Sequence, residues 1–271
     1  MVALRLHEMT SPEIGALVDQ GGVVIVPVGA MEQHGPHLPV QTDFALARDV
    51  AERAAERAFS LGVPVAVAPP IWTGYSPHHM RFPGTISLRA STITALLVDV
   101  GASLWTHGFR KILFLNGHGG NSNVVGIAAQ TLRYEHGVRV ATANYWSFAS
   151  AEIDDWRVSP EGGINHACEM EMSLALAAFP ELCKPELARN SEINLSSPYF
   201  SADLMSGAPV STPWMFDELS EDGTIGCPEQ ADQERGRELL DIIVLHLSEF
   251  LQEMSTWDWD DPKSVARGAS R

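Results

Sequence analysis

The sequence predicts an α/β fold with a mostly parallel sheet covered on both faces by helices. Three observations lead there. Short, wholly apolar runs rich in β-branched residues recur along the chain, and such runs suit strands buried on both faces. Segments of helical character separate them, and regular strand–helix alternation selects a parallel sheet between helical layers. The chain is 271 residues long, enough to bury about 70–75% of its unfolded surface in one core.

The elements follow in order. Val23–Val28 (VVIVPV) reads as the first strand. Residues 44–59 are Ala-rich with charges on one side and read as a helix. Residues 65–68 form a second strand, stopped by Pro69 and Pro70. A helix over 92–107 leads to a third strand at 111–115 (KILFL). A helix over 123–136 opens on Ser122 or Asn123 as its cap. A fourth strand is expected at 138–143 and a short helix at 169–178, closed before Pro180. Residues 233–254 form a long final helix. The 190–226 stretch is rich in Ser, Pro and Gly and reads as a long loop or inserted lobe, of the kind that often carries function. One domain is expected over 1–256. The acidic segment 257–271 is expected to be a mobile tail, with Trp257 and Trp259 as its candidate anchors.

Composition excludes several classes. Hydrophobic residues make up 45% and charged residues 19%, so wholesale disorder is excluded. Eighteen Lys and Arg oppose 34 Asp and Glu, a net charge of −16. Residues 1–144 hold ten acids and ten bases, so the whole excess lies in 145–271. Nucleic acid and anionic membrane surfaces are therefore not expected partners. Cys168, Cys183 and Cys227 form no CxxC pair, which suggests a reducing, cytoplasmic setting. No secretory signal pattern opens the chain, and no apolar run reaches membrane-spanning length.

Three clusters carry chemistry. Glu32-Gln33-His34-Gly35-Pro36-His37, with Thr42-Asp43 beyond, follows the first strand. Asn116-Gly117-His118-Gly119-Gly120-Asn121 follows the third. Sites in open parallel sheets form just beyond the carboxyl ends of strands, so these two clusters can face each other. The third, Asn165-His166-Ala167-Cys168-Glu169-Met170-Glu171, opens a helix. Imidazole and carboxylate without paired thiolates suit Zn, Mn or Fe. Ligands shared between two ions through one carboxylate would make a two-metal hydrolytic centre. Other readings stand beside these. The His-Gly-Gly-Asn turn also suits a phosphate. His37 is either structural or part of the site, and His78 and His79 either cover the site or face solvent. Cys168 reads as a packing residue, and His107, His136 and His246 as helix-surface residues.

These motifs, with Phe82-Pro83-Gly84-Thr85 and the glycines at 223 and 226, resemble the creatininase (creatinine amidohydrolase) family over about 9–251. The resemblance implies a three-layer α/β/α domain and a binuclear site that hydrolyses amide-type C–N bonds with a metal-bridging hydroxide. It implies two divalent ions per chain, Zn or Mn, with Fe possible. Glu32, Asp43 and His118 would hold one ion. His34, Asp43 and a further carboxylate would hold the second. Creatininase proper supplies that carboxylate two residues after the His of its third-strand motif, where this chain has Gly120, and has Tyr where this chain has Gly119. The Asn-Gly-His-Gly-Gly-Asn branch carries a Glu in His-Ala-x-Glu instead, which assigns Glu169. His166 would give a proton to the leaving nitrogen. Glu171 would support a ligand or act as an acid. Tyr75, His78, Gly119 and Gly120 are the expected substrate contacts, the two glycines offering backbone N–H groups to an oxyanion. The resemblance also implies a homo-oligomer, a hexamer in many members, and a small amide substrate. Within the family that substrate could be a cyclic amide, a formamide or a peptide. Outside enzymes, a metal-stabilised small-molecule binder and an interaction scaffold are the alternatives.

Overall fold

The computed structural model describes residues 4–261 except 192, 194–196 and 207. The chain opens with α1 (Ser11–Asp19), which the apolar pattern alone did not suggest. Its signal was the Thr-Ser-Pro-Glu start. Glu13 accepts from the Thr10 backbone N–H at 2.6 Å, closing a capping box. Then come β1 (Val23–Val28), α2 (Thr42–Ser60), β2 (Val65–Val67), α3 (Ala90–Thr106), β3 (Lys111–Asn116), α4 (Ser122–His136) and β4 (Ala141–Asn144).

The four strands form one parallel sheet in the order β2-β1-β3-β4. β1 is wholly buried. Val23 and Ile25 point into one core with α2, and Val24, Val26 and Val28 into the other with α3 and α4. That alternation is what a strand covered on both faces requires, and it gives three α/β/α layers. After a short α5 (Ile153–Trp156), β5 (Ile164–His166) leads into α6 (Glu169–Ala178). β5 pairs antiparallel with β6 (Ile225–Gly226), and α7 (Gln233–Ser255) closes the layer beside α2 and α6.

Two expectations are corrected. The fourth strand starts at Ala141 rather than 138, because the Val138 N–H still donates to Leu132 O at the end of α4. The chain does not leave the domain at 257. Trp257 packs edge-on against Phe250 and Trp259, with ring centroids 5.5 and 5.1 Å away, and Trp259 Nε1 donates to Arg110 O. Residues 262–271 of the expected tail lie outside the described residues. No described helix is long and apolar enough to cross a membrane.

Helix α7 approaches α6 most closely at Gly236, where a Cβ would stand 1.9 Å from Ser173 O. Gly236→Ala is expected to destabilise by about 1–3 kcal/mol through overpacking, outweighing the roughly 1 kcal/mol helix-propensity gain. Urea unfolding measures the difference, and an unchanged or raised midpoint would contradict this packing.

Candidate metal centre

β1 and β3 end in register, Val28 opposite Asn116. The loops that follow them therefore emerge side by side. Asn116 stitches its own turn, donating to His118 O at 2.7 Å and accepting from the His118 N–H at 3.2 Å. Asn121 ties three loops together, donating to Gly29 O and accepting from the Tyr75 N–H. The first turn of α2 carries Asp43 into the same space.

Asp43 stands at the middle. Its Oδ1 lies 3.0 Å from His34 Nε2 and its Oδ2 lies 3.1 Å from His118 Nδ1. Glu32 Oε1 lies 3.2 Å from His118 Nδ1, and Glu171 Oε1 lies 3.8 Å from His34 Nε2. All five residues are buried. Yet both Glu32 oxygens, Asp43 Oδ2 and His34 Nε2 make no hydrogen bond. Buried polar atoms are nearly always paired, so this concentration of orphans calls for a partner that is not protein. Tetrahedral zinc at about 2.0–2.1 Å from each donor spaces its ligand atoms by roughly 3.3–3.4 Å, close to the separations seen here.

The outer nitrogens agree. His34 Nδ1 is 3.1 Å from Glu32 O, and His118 Nε2 is 3.1 Å from Tyr75 O. A carbonyl only accepts, so each of these nitrogens carries a proton. The inner nitrogen of each neutral ring then presents a lone pair to the cluster, the arrangement metal-binding histidines use. Three groups of donor atoms could each hold an ion: Glu32, His78 and His118; Glu32, His34 and His166; His34, Asp43 and Glu171. The residues present fit a bound divalent cation, and Asp43 belongs to the third of these groups.

Charge reinforces this picture. Burial opposes ionisation of Glu32, but His118 and His79 override it and hold the carboxyl well below its usual range. Burial opposes charge on His118 too, yet Glu32 and Asp43 push it up to about 10. His34 is likewise held well above its ordinary value against burial, by Asp43 and Glu171. His166 goes the other way. Burial, then His34 and His79, push it well below its usual value.

The expected ligand Glu169 is not in this cluster. Its carboxylate accepts from the Val158 and Ser159 N–H groups at 3.0 and 2.9 Å and from Arg235 Nη1 at 2.7 Å. Two residues on a helix are roughly 200° apart around its axis. Glu169 and Glu171 therefore cannot both face the cavity, and Glu171 does. Glu171 Oε2 also accepts from the Ala167 N–H at 2.6 Å, while Ala167 O accepts from His37 Nε2 at 2.8 Å. Those two bonds hold Ala167 at φ +50, a costly backbone state for a non-glycine residue. The even choice on His37 resolves to structural pinning of this turn.

Tyr75 is corrected as well. Its ring packs with the α3/α4 core, and only its backbone serves the site. His78, Gly119 and Gly120 do line the cavity of about 170 Å³. Gly120 is constrained by space, since a Cβ there would lie 2.5 Å from His118 Nε2 and 2.6 Å from Tyr75 O. Burial and His79 lower His78 to about 4. Cys168 is buried with its thiol pushed up, in keeping with a packing residue.

Two residues beyond the assigned set complete the site. His79 is fully buried with Nε2 3.2 Å from Glu32 Oε1, and Gln33 Nε2 lies 2.7 Å from His79 Nδ1. The Pro-His-His turn offered only a loop histidine, and nothing in the local spacing marked which one turned inward. Phe216 belongs to none of the sequence motifs. It packs on His79, His78 and His166 at centroid distances of 4.2, 5.1 and 5.1 Å.

A family model described as creatinine amidohydrolase matches residues 7–251. The chain belongs to the creatininase family. Creatinine amidohydrolase of Pseudomonas putida is 30% identical over 262 residues, covering 91% of this chain and 95% of that protein. A mycofactocin precursor peptide peptidase of Mycobacterium tuberculosis (strain H37Rv) is 31% identical over 249 residues, covering 88% and 87%. A solved manganese creatininase superposes with a TM-score of 0.76 at 29% identity, covering 93% of this chain and 98% of that one. The chain is thus a creatininase-family hydrolase with the α/β fold of that family.

Ligand assignment has a direct test. Glu171→Ala is expected to lower the zinc or manganese bound per chain. Glu169→Ala should keep that metal and lose about 1–3 kcal/mol of stability from its stranded amide and guanidinium donors. Metal analysis and urea melts read the two effects, and a reversed pattern would restore Glu169 as the ligand. Metal loading should also release protons. His34 and His118 are imidazolium near neutral pH without metal, and only the neutral ring ligates. Affinity should therefore rise with pH, and calorimetry in buffers of different ionisation enthalpy should count about two protons released.

Proposed function

We propose that this chain is a metal-dependent amidohydrolase that cleaves an amide-type C–N bond in a cyclic amide or a formamide. The carrying observation is the Asp43 carboxylate aimed at two histidines, one on each oxygen, with a neutral His166 beside them. Glu32, Asp43 and His118 would hold one divalent ion, and His34, Asp43 and Glu171 the second. When bound, the ions lower the pKa of water and polarise the substrate carbonyl. Zinc and manganese both suit the donor set.

The rest of the chemistry belongs to side chains. His166 Nε2 lies 2.7 Å from Gln33 O and 3.1 Å from Gln33 Nε2, and we assign it as the donor to the carbonyl. In the neutral ring, His166 Nδ1 therefore carries the lone pair, and it sits 3.7 Å from Glu32 Oε1, facing the cluster. This differs from an acid that arrives protonated. His166 takes a proton from the attacking water as the water oxygen joins the carbonyl carbon. It passes that proton to the nitrogen as the C–N bond breaks. The cavity lining at Gly119 and Gly120 leaves backbone room beside the carbonyl oxygen.

Peptide trimming is a second reading, favoured by the similarity to the mycobacterial peptidase. A panel of cyclic amides, formamides and short peptides with zinc- or manganese-replete protein separates the readings. Turnover is expected on amides or formamides. His166→Ala should keep both ions and lose about 10²–10⁴-fold in kcat. Normal turnover by that variant would remove His166 from the reaction, and a flat panel with metals intact would favour a binding protein.

A further inference from the structure

The cavity over the metal cluster is about 170 Å³. Ligand sites usually run to about 300–1,000 Å³, so this chamber alone is small. A second chamber of about 330 Å³ adjoins it, and Asn165 and Phe216 line both. The second chamber is walled by the 200–219 loop, including Phe200, Ser201, Ala208, Trp214 and Leu219. Among the described residues that line it there is no Asp, Glu, Lys, Arg or His, in a chain of net charge −16. Its surfaces are aromatic, aliphatic and hydroxyl-bearing.

The position of the passage matters. Asn165 precedes His166 and its side chain donates to Ala202 O, tying β5 to the loop. The Phe216 ring stands edge-on to His166 at 5.1 Å. The second chamber therefore meets the metal cavity beside His166, the residue that passes the proton to the leaving nitrogen. A charged group there would meet no partner of opposite charge among the described lining residues.

We infer that the 200–219 chamber is the subsite for the leaving amine, and that it takes an uncharged, apolar or aromatic substituent on the amide nitrogen. Phe216 and Asn165 form its threshold. This rests on the amidohydrolase reading, since it is the substrate's amine side that the chamber accepts. A substrate with a free carboxylate or ammonium on that side is excluded by the same lining.

The test uses zinc-loaded protein carrying His166→Ala, so that ligands bind without turnover, and calorimetry. N-benzylformamide is expected to bind about tenfold or more tightly than N-methylformamide, from burial of one ring. N-(4-carboxybenzyl)formamide should lose that gain. Ala208→Trp, or Ser201→Trp if the first variant fails to fold, should erase it while N-methylformamide binding stays unchanged. Equal affinity for the two neutral formamides would overturn the inference. So would an equal gain from N-methylphenylacetamide, whose ring lies on the acyl side, or a gain that survives the filled chamber. Turnover by the His166-bearing enzyme is measured separately. Chamber-dependent binding without hydrolysis would sink the amidase reading and with it the leaving-amine assignment, whereas hydrolysis with no chamber dependence would sink only the subsite.

Discussion

One buried carboxylate organises the molecule's chemistry. Asp43 has two oxygens and two histidines to face, and neither contact has the geometry that would satisfy all the atoms involved. Anionic charge concentrated at Asp43, Glu32 and Glu171 is tolerable in a dry interior only against matching positive charge. In the metal-free chain that charge is proton-borne, on His34 and His118. In the loaded chain it would be carried by cations, with the rings returned to neutrality. Either way the site remains near electrical balance, and the two states exchange protons for metal.

The fold serves this balance by convergence. Glu32 and His34 come from the loop after β1, Asp43 from the first turn of α2, His118 from the loop after β3, and Glu171 from α6. Parallel pairing brings the first loops to one edge, and the asparagines at 116 and 121 lock them with hydrogen bonds. The second lobe is harder to hold in place, because β5 and β6 are short. The bent backbone at Ala167, clamped between His37 and Glu171, supplies the fixed point from which His166 and α6 depart.

The sheet was legible because its strands are wholly apolar and its helices regular. The first-lobe ligands were legible because each follows a strand end within a few residues. Glu169 was misassigned because a motif states which residue types are near one another but not which way a helix is rotated. Rotation is set by Arg235 on α7 and the amides of 158 and 159, contacts far away in sequence. His79 escaped for a similar reason: its partner Gln33 lies 46 residues away. The tail was misjudged at 257–261 because acidic composition outweighed two tryptophans that had a ring to meet.

The crowding at Gly120 bears on how such sites diverge. A carboxylate carried at this turn would need space that His118, His78 and the Tyr75 carbonyl fill in this chain. A third carboxylate supplied from position 120 and the present packing of His118 thus exclude each other sterically. A lineage moving between them by single replacements would pass through an intermediate with a crowded turn or a half-empty cation site.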